Sequence, residues 1–143
     1  MSESRPWLRN YPQGVPANIN PEKYDSLISF AVESMSKYAH HIAFTCMGSD
    51  LTYQELDKYS ASFGAYLHSR GLKPGDKIAL MMPNLLQYPI AIFGALRAGM
   101  VIVNTNPLYT PREMEYQFID SGVKAIVIAE NFASNLEKVI GKT

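Results

Sequence analysis

The chain has 143 residues, with 13 lysines and arginines against 13 aspartates and glutamates, so its formal charge is zero. A nucleic-acid binder carries a basic excess for phosphates to neutralise; none exists here, which sets DNA and RNA aside as partners. Apolar residues make up 47% and charged residues 18%, too hydrophobic for a disordered chain and suited to one packed domain or a piece of a larger one.

Cys46 is the one cysteine, so neither an internal disulfide nor a cysteine-based structural zinc site is expected, and the reading is a cytoplasmic protein. The opening residues lack the apolar core of a secretory signal. The most apolar stretch, Leu85 to Val103, is broken by Gln87, Pro89 and Arg97, so no membrane span is expected.

Residues 1–25 contain Pro6, Pro12, Pro16 and Pro21 and read as an extended arm. Its Trp7, Leu8, Tyr11, Val15 and Ile19 supply apolar surface for packing along a larger body. Packing is the leading reading; the second is peripheral contact of Trp7, Leu8 and Tyr11, beside Arg5 and Arg9, with a lipid interface at the inner face of the membrane.

Residues 26–76 read as a helix-strand-helix lead-in. Leu27, Ile28, Ala31, Met35 and Tyr38 recur at helical spacing from Ser26 to Ala39. A strand at Ala43 to Met47 precedes a Gly48-Ser49-Asp50 turn. Thr52-Tyr53-Gln54-Glu55 has the form of a capping box and predicts a helix with Leu56, Tyr59, Ser60, Phe63, Tyr66 and Leu67 on its packed face. Gly71 is placed to end it in a left-handed conformation.

Residues 77–143 read as βαβαβα. Ile78 to Met82, Met100 to Val103 and Lys124 to Ile128 are apolar strands without alternation, which predicts burial on both faces of a parallel sheet. The helices between them span Asn84 to Ala98, with Pro89 demanding a late start or a bend, and Thr110 to Gly122, opened by the capping box Thr110-Pro111-Arg112-Glu113. Asn131 is expected to cap a last helix reaching Ile140. The fold class is therefore α/β: βαβ units forming a parallel sheet with flanking helices.

Most chemical motifs fail on inspection. Gly94-Ala95-Leu96-Arg97-Ala98-Gly99 has the glycine spacing of a phosphate loop, but Met100 and Val101 replace its Lys and Ser or Thr, and the run ends a helix. His40, His41 and His68 lack metal-ligand spacing, and Cys46 sits in an apolar strand as an inert thiol. Glu113, Glu115 and Asp120 read as a solvated helix face rather than an acid/base pair. One region carries a functional expectation. Ligands of open parallel sheets collect beyond the strands' carboxyl ends, here Pro83-Asn84, the Thr105 to Tyr109 loop and Glu130-Asn131. Asn104, Asn106, Tyr109 and Thr110 place polar groups there, ahead of a helix N-terminus that favours anions.

Several phrases together are similar to the start of the adenylate-forming enzymes, and within them to bacterial long-chain fatty-acid–CoA ligases. Leu51 to Leu56 resembles the family's first core motif, and Leu96-Arg97-Ala98-Gly99 its second. Gly75 to Asn84 and Asn106 to Glu113 resemble the acyl-CoA synthetase branch, and the arm from Trp7 to Tyr24 its fatty-acid members. The resemblance implies the first part of the large N-terminal domain of such an enzyme. Its intact parent would join a fatty acid to CoA through an acyl-adenylate, with ATP as the nucleotide substrate and Mg2+ as its metal. The family's phosphate loop, ribose-binding Asp and catalytic lysine come later than Thr143. No catalytic, cofactor-binding or metal-binding residue is therefore carried over, although Asn106 to Thr110 occupies a region that touches CoA in some relatives. The piece alone is expected to be inactive, without cofactors, and to self-associate through uncovered strand edges. Alternatives are a naturally short non-catalytic α/β binding module and a piece of another carboxylate-adenylating enzyme.

Overall fold

The structure is a computed structural model and describes residues 5–142. The arm holds two short 3-10 turns, Pro6–Asn10 and Pro21–Lys23, each opened by its proline. Most of its apolar side chains stay uncovered, Trp7 at 52% and Ile19 at 86% exposed, while Leu8 is half-buried and Tyr24 packs edge-on against Phe30 at 4.9 Å, so the arm meets this body at few points. Ser26 then starts α1 (Leu27–Lys37) with a reciprocal cap to Ser29, and this helix buries Ala31 and Met35.

Where one strand and a three-residue turn are expected, the chain forms a hairpin. β1 (Ile42–Cys46) pairs antiparallel with β2 (Ser49–Thr52), and only Met47 and Gly48 make the turn. Both have positive φ, 51° and 78°, the twist a two-residue hairpin loop requires. Ser49 and Asp50 look like turn residues, yet they pair with Cys46 and Thr45, and Asp50 Oδ1 accepts from Thr45 Oγ1 at 2.6 Å.

Thr52 caps α2 (Tyr53–Ser69): its Oγ1 accepts from Glu55 N–H at 3.2 Å, and Glu55 Oε2 accepts from Thr52 N–H at 2.9 Å. The packed stripe is Leu56, Ser60, Gly64 and Leu67; Tyr59 and Tyr66, expected on it, stand exposed at its flanks. Gly71 is left-handed, as expected of a helix stop.

β3 (Lys77–Met81) is the centre of a three-stranded parallel sheet. α3 (Gln87–Arg97) leads to β4 (Val101–Asn104), then α4 (Pro111–Ser121) leads back across to β5 (Ala125–Ile128), giving the order β4-β3-β5. Because α3 begins at Gln87, Pro89 falls in its first turn, where no intrahelical N–H is needed. Burial on both faces holds for β3 alone, whose Ile78 to Met81 have no accessible surface. β4 and β5 are edges and stay partly exposed, Val101 at 47%.

Successive β3 side chains enter opposite layers. Ile78 and Leu80 join Leu67, Ala91, Ala95 and Ala98 beneath α2 and α3. Ala79 and Met81 join Met114, Phe118 and Val139 beneath α4 and the chain that follows it. Gly122 ends α4 at φ 66°, again a left-handed stop. After β5 a 3-10 turn, Glu130–Phe132, runs into the short α5 (Ala133–Glu137). Asn131 lies inside that turn and caps nothing, because the 3-10 turn satisfies the leading backbone groups instead, and the helix ends at Glu137, short of Ile140.

The tightest joint is between α2 and α3. A Cβ on Gly94 would lie 2.8 Å from Ser60 O and 2.7 Å from Phe63 Cδ1, and one on Gly64 would lie 2.9 Å from Gly94 O. Each glycine therefore admits the other helix's backbone. Arg97 locks the same joint: it pairs with Asp57, donates from Nε to Ser60 Oγ at 3.1 Å, and reaches Met35 Sδ on α1.

Candidate functional site

Parallel strands deliver their following loops to one end of the sheet. The chain adds β4 on one side of β3 and β5 on the other, so the crossover direction reverses between β3 and β5, the arrangement that in open α/β sheets gathers ligands beyond the strands' carboxyl ends. Pro83-Asn84, the Thr105 to Tyr109 loop and Glu130-Asn131 all leave the sheet at this end, as their positions after the strands predict.

The middle loop is held residue by residue. Thr105 N–H donates to Leu80 O at 3.0 Å, carrying the ladder one step past β4, and its side chain is buried. Asn106 Oδ1 accepts from Leu108 N–H at 2.9 Å, an Asx turn, and Tyr109 N–H donates to Asn106 O at 3.1 Å. Side chains from three helices also reach it. Tyr88 Oη on α3 donates to Asn104 Oδ1 at 2.8 Å, Gln117 Nε2 on α4 to Asn104 O at 3.2 Å, and Asn135 Nδ2 on α5 to Tyr109 O at 3.3 Å. None of these three was singled out by sequence reasoning. Their contacts span 16, 13 and 26 residues, and no local motif encodes them.

The anion expected at the N-terminus of α4 is the protein's own. Thr110 N–H donates to Glu113 Oε2 at 2.8 Å and Thr110 Oγ1 at 2.7 Å; the backbone N–H first, then the hydroxyl, holds the Glu113 carboxyl below its ordinary value. Glu113 is thus an ionised cap, ill suited to donate a proton. Glu115 reaches Lys142 at 3.6 Å, and Asp120 is exposed. Beside these residues an open cleft of about 650 Å3 is lined by Tyr109, Thr110, Arg112, Glu113, Tyr116 and Asp120, a wall of mixed charge.

The glycine run does not fit a nucleotide's phosphates. The space at Gly94 is filled by Ser60 and Phe63, and at Gly99, left-handed at φ 73°, a Cβ would lie 3.0 Å from Pro74 Cβ. Both glycines serve packing and a helix stop, and no step is routed through them. Cys46 is half-buried, its Sγ 3.4 Å from Asn84 O, on an apolar cavity of about 370 Å3 between the hairpin and the start of α3. His40 and His41 lie in the exposed link before β1, and His68 Nδ1 lies 3.3 Å from Leu72 O at the end of α2. At the opposite end of the sheet Asp76 meets Lys124 Nζ at 2.5 Å; that hydrogen bond, then the Lys73 N–H, lowers its carboxyl below the ordinary value. No helix among the described residues is long and apolar enough to cross a membrane.

Comparison with known proteins agrees with this architecture. The chain is 56% identical over 138 residues to the long-chain-fatty-acid–CoA ligase of Escherichia coli, covering 96% of this chain and 25% of that protein. It is 35% identical over 127 residues to the long-chain-fatty-acid–CoA ligase of Bacillus subtilis, covering 89% and 22%. Among solved structures, a benzoate CoA ligase from Burkholderia xenovorans LB400 superposes with a TM-score of 0.77 at 26% identity, over 81% of this chain and 24% of that one. A fatty acyl CoA synthetase of Mycobacterium tuberculosis shares the fold, with a TM-score of 0.73 at 21% identity over 81% and 24%. The chain spans about a quarter of the length of the curated relatives it matches. The family described as AMP-binding enzyme matches residues 32–143, and with the parallel sheet, its two helix layers and these relatives, it is to this family that the chain belongs.

Proposed function

We propose that this chain is the N-terminal scaffold part of a long-chain fatty-acid–CoA ligase. The intact enzyme would convert fatty acid, ATP and CoA to acyl-CoA, AMP and pyrophosphate. The observation that carries the reading is 56% identity across nearly the whole chain to long-chain-fatty-acid–CoA ligases. The chemistry is coherent: a carboxylate is a poor electrophile until one oxygen becomes part of a good leaving group, which adenylation achieves and thiol attack then uses. Such steps rest on positioned cations and preorganised donors around the phosphates, Mg2+ among them. The residues of this chain supply packing and one shaped loop, so we assign them no catalytic step and expect the chain alone to be inactive.

The test is ATP–pyrophosphate exchange by a ligase of full family length carrying these residues, over a panel of carboxylic acids. Exchange strongest with long-chain fatty acids is expected; exchange with aryl acids alone would redirect the assignment to another adenylating enzyme. Within that reading the Asn106 to Thr110 loop contributes to the CoA site. An Asn106→Ala/Tyr109→Phe double variant should raise the KM for CoA while leaving exchange intact, and unchanged constants would remove the loop from the site.

The reading extends to a cytoplasmic enzyme with peripheral contact at the inner face of the membrane, supported by exposed Trp7 and Tyr11 near Arg5 and Arg9 on the arm. Flotation with anionic vesicles should weaken when residues 1–20 are deleted, and flotation that does not change would dispose of the lipid contact.

A further inference from the structure

We propose that Tyr88, Gln117 and Asn135 are positioning residues that fix the loop from Asn104 to Thr110 in the shape that receives CoA. The inference rests on the preceding reading that this loop contributes to the CoA site. Tyr88, Gln117 and Asn135 stand on α3, α4 and α5, and each donates to Asn104 or Tyr109, the two residues that bracket the loop. Backbone bonds and one cap already close the loop, so these three act on how it sits against the sheet, not on whether it turns.

Two details separate positioning from ordinary packing. Gln117 Oε1 is buried and has no hydrogen-bond partner among the described residues, a cost that an apolar side chain at 117 would avoid. That cost is set against what its other end does, the amide that holds Asn104 O at 3.2 Å. Second, Tyr88 engages Asn104 Oδ1, and Leu108 N–H engages Asn106 Oδ1. Both asparagines are exposed, and with their oxygens engaged each turns its amide nitrogen into the group left for an external acceptor. A ligand with carbonyl and phosphate oxygens, as the pantetheine and diphosphate of CoA supply, is matched by such donors. Donors held on a rigid support lose little freedom on binding.

The experiment uses the full-length ligase with Tyr88→Phe, which removes one hydroxyl and keeps the ring, and Gln117→Met, which keeps nearly the same length and volume but cannot donate to Asn104 O. For each, the KM for CoA should rise about fivefold, the loss expected of one positioning hydrogen bond. The KM values for ATP and fatty acid, the rate of ATP–pyrophosphate exchange and the melting temperature should hold. A parallel fall in exchange and CoA use would mark the two residues as general packing and overturn the proposal. So would an unchanged CoA constant in an enzyme whose Asn106→Ala variant does raise it. If Asn106→Ala also leaves that constant unchanged, the loop is not part of the CoA site, and the positioning role falls with that reading.

Discussion

Arg97 and Gly94 lie three residues apart on α3 and act on the same joint by opposite means, one by reaching across it and one by having nothing to reach with. Asp57 is half exposed whereas Arg97 is mostly covered, so the ion pair itself is screened and contributes under about 1 kcal/mol. The guanidinium also serves Ser60 Oγ and lies against Met35, so Arg97→Ala should lower stability more than Asp57→Ala. Urea midpoints decide this, and equal losses would refute it. Gly94→Ala places a methyl within 2.8 Å of a backbone oxygen that cannot rotate away, and the helices must part. A loss of about 1–3 kcal/mol is expected from such overpacking, read from the same midpoints. The sequence displays both residues openly, and their glycine spacing even suggests a phosphate loop. What spacing cannot encode is that the space around Gly94 is taken by a helix some thirty residues earlier.

At the scale of elements, the chain was most legible where a local chemical rule sets a boundary. The capping boxes at Thr52 and Thr110, the proline at 111 and the stops at Gly71 and Gly122 all stand where their residue types predict. These boxes also make a pH prediction. Glu55 and Glu113 have folded-state pKa values lowered from 4.5, chiefly by the backbone N–H each accepts. A lowered value means their stabilisation is fully present above 4.5 and is lost as the pH falls through the folded value. Glu113→Gln keeps the box without a titrating group, so its stability should fall less steeply than wild type as the pH drops below 4.5. Identical acid limbs in chemical denaturation would count against the capping role. Where legibility failed, the rule in play was not local. β2 was hidden because Ser49 and Asp50 face solvent on a hairpin and carry turn-type side chains. The 3-10 turn around Asn131 depends on how the chain after β5 meets the sheet. The site divided the same way: its loop followed from strand ends, while Tyr88, Gln117 and Asn135 belong to it only through contacts between distant elements.

At the scale of the whole molecule, a three-stranded sheet leaves β4 and β5 as edges, and Val101 on β4 is 47% exposed. Trp7, Ile19 and Leu27 add further uncovered apolar surface. The chain by itself should associate with rising concentration by light scattering, and Val101→Lys should reduce that association with little change in melting temperature. A monomer over the full concentration range would dismiss the idea. The position of β3 also matters in time. It is the most enclosed strand of the finished sheet, yet both neighbours follow it in the sequence, so a growing chain emits Ile78 to Met82 long before it emits Ile128. At synthesis rates of about 5–20 residues per second, this apolar segment waits seconds for β5, with α2, α3, β4 and then α4 to cover it. The order of the strands thus makes the molecule's best-protected residues its longest-exposed ones during birth, and assigns the close joint of α2 on α3 a second duty as their first shelter.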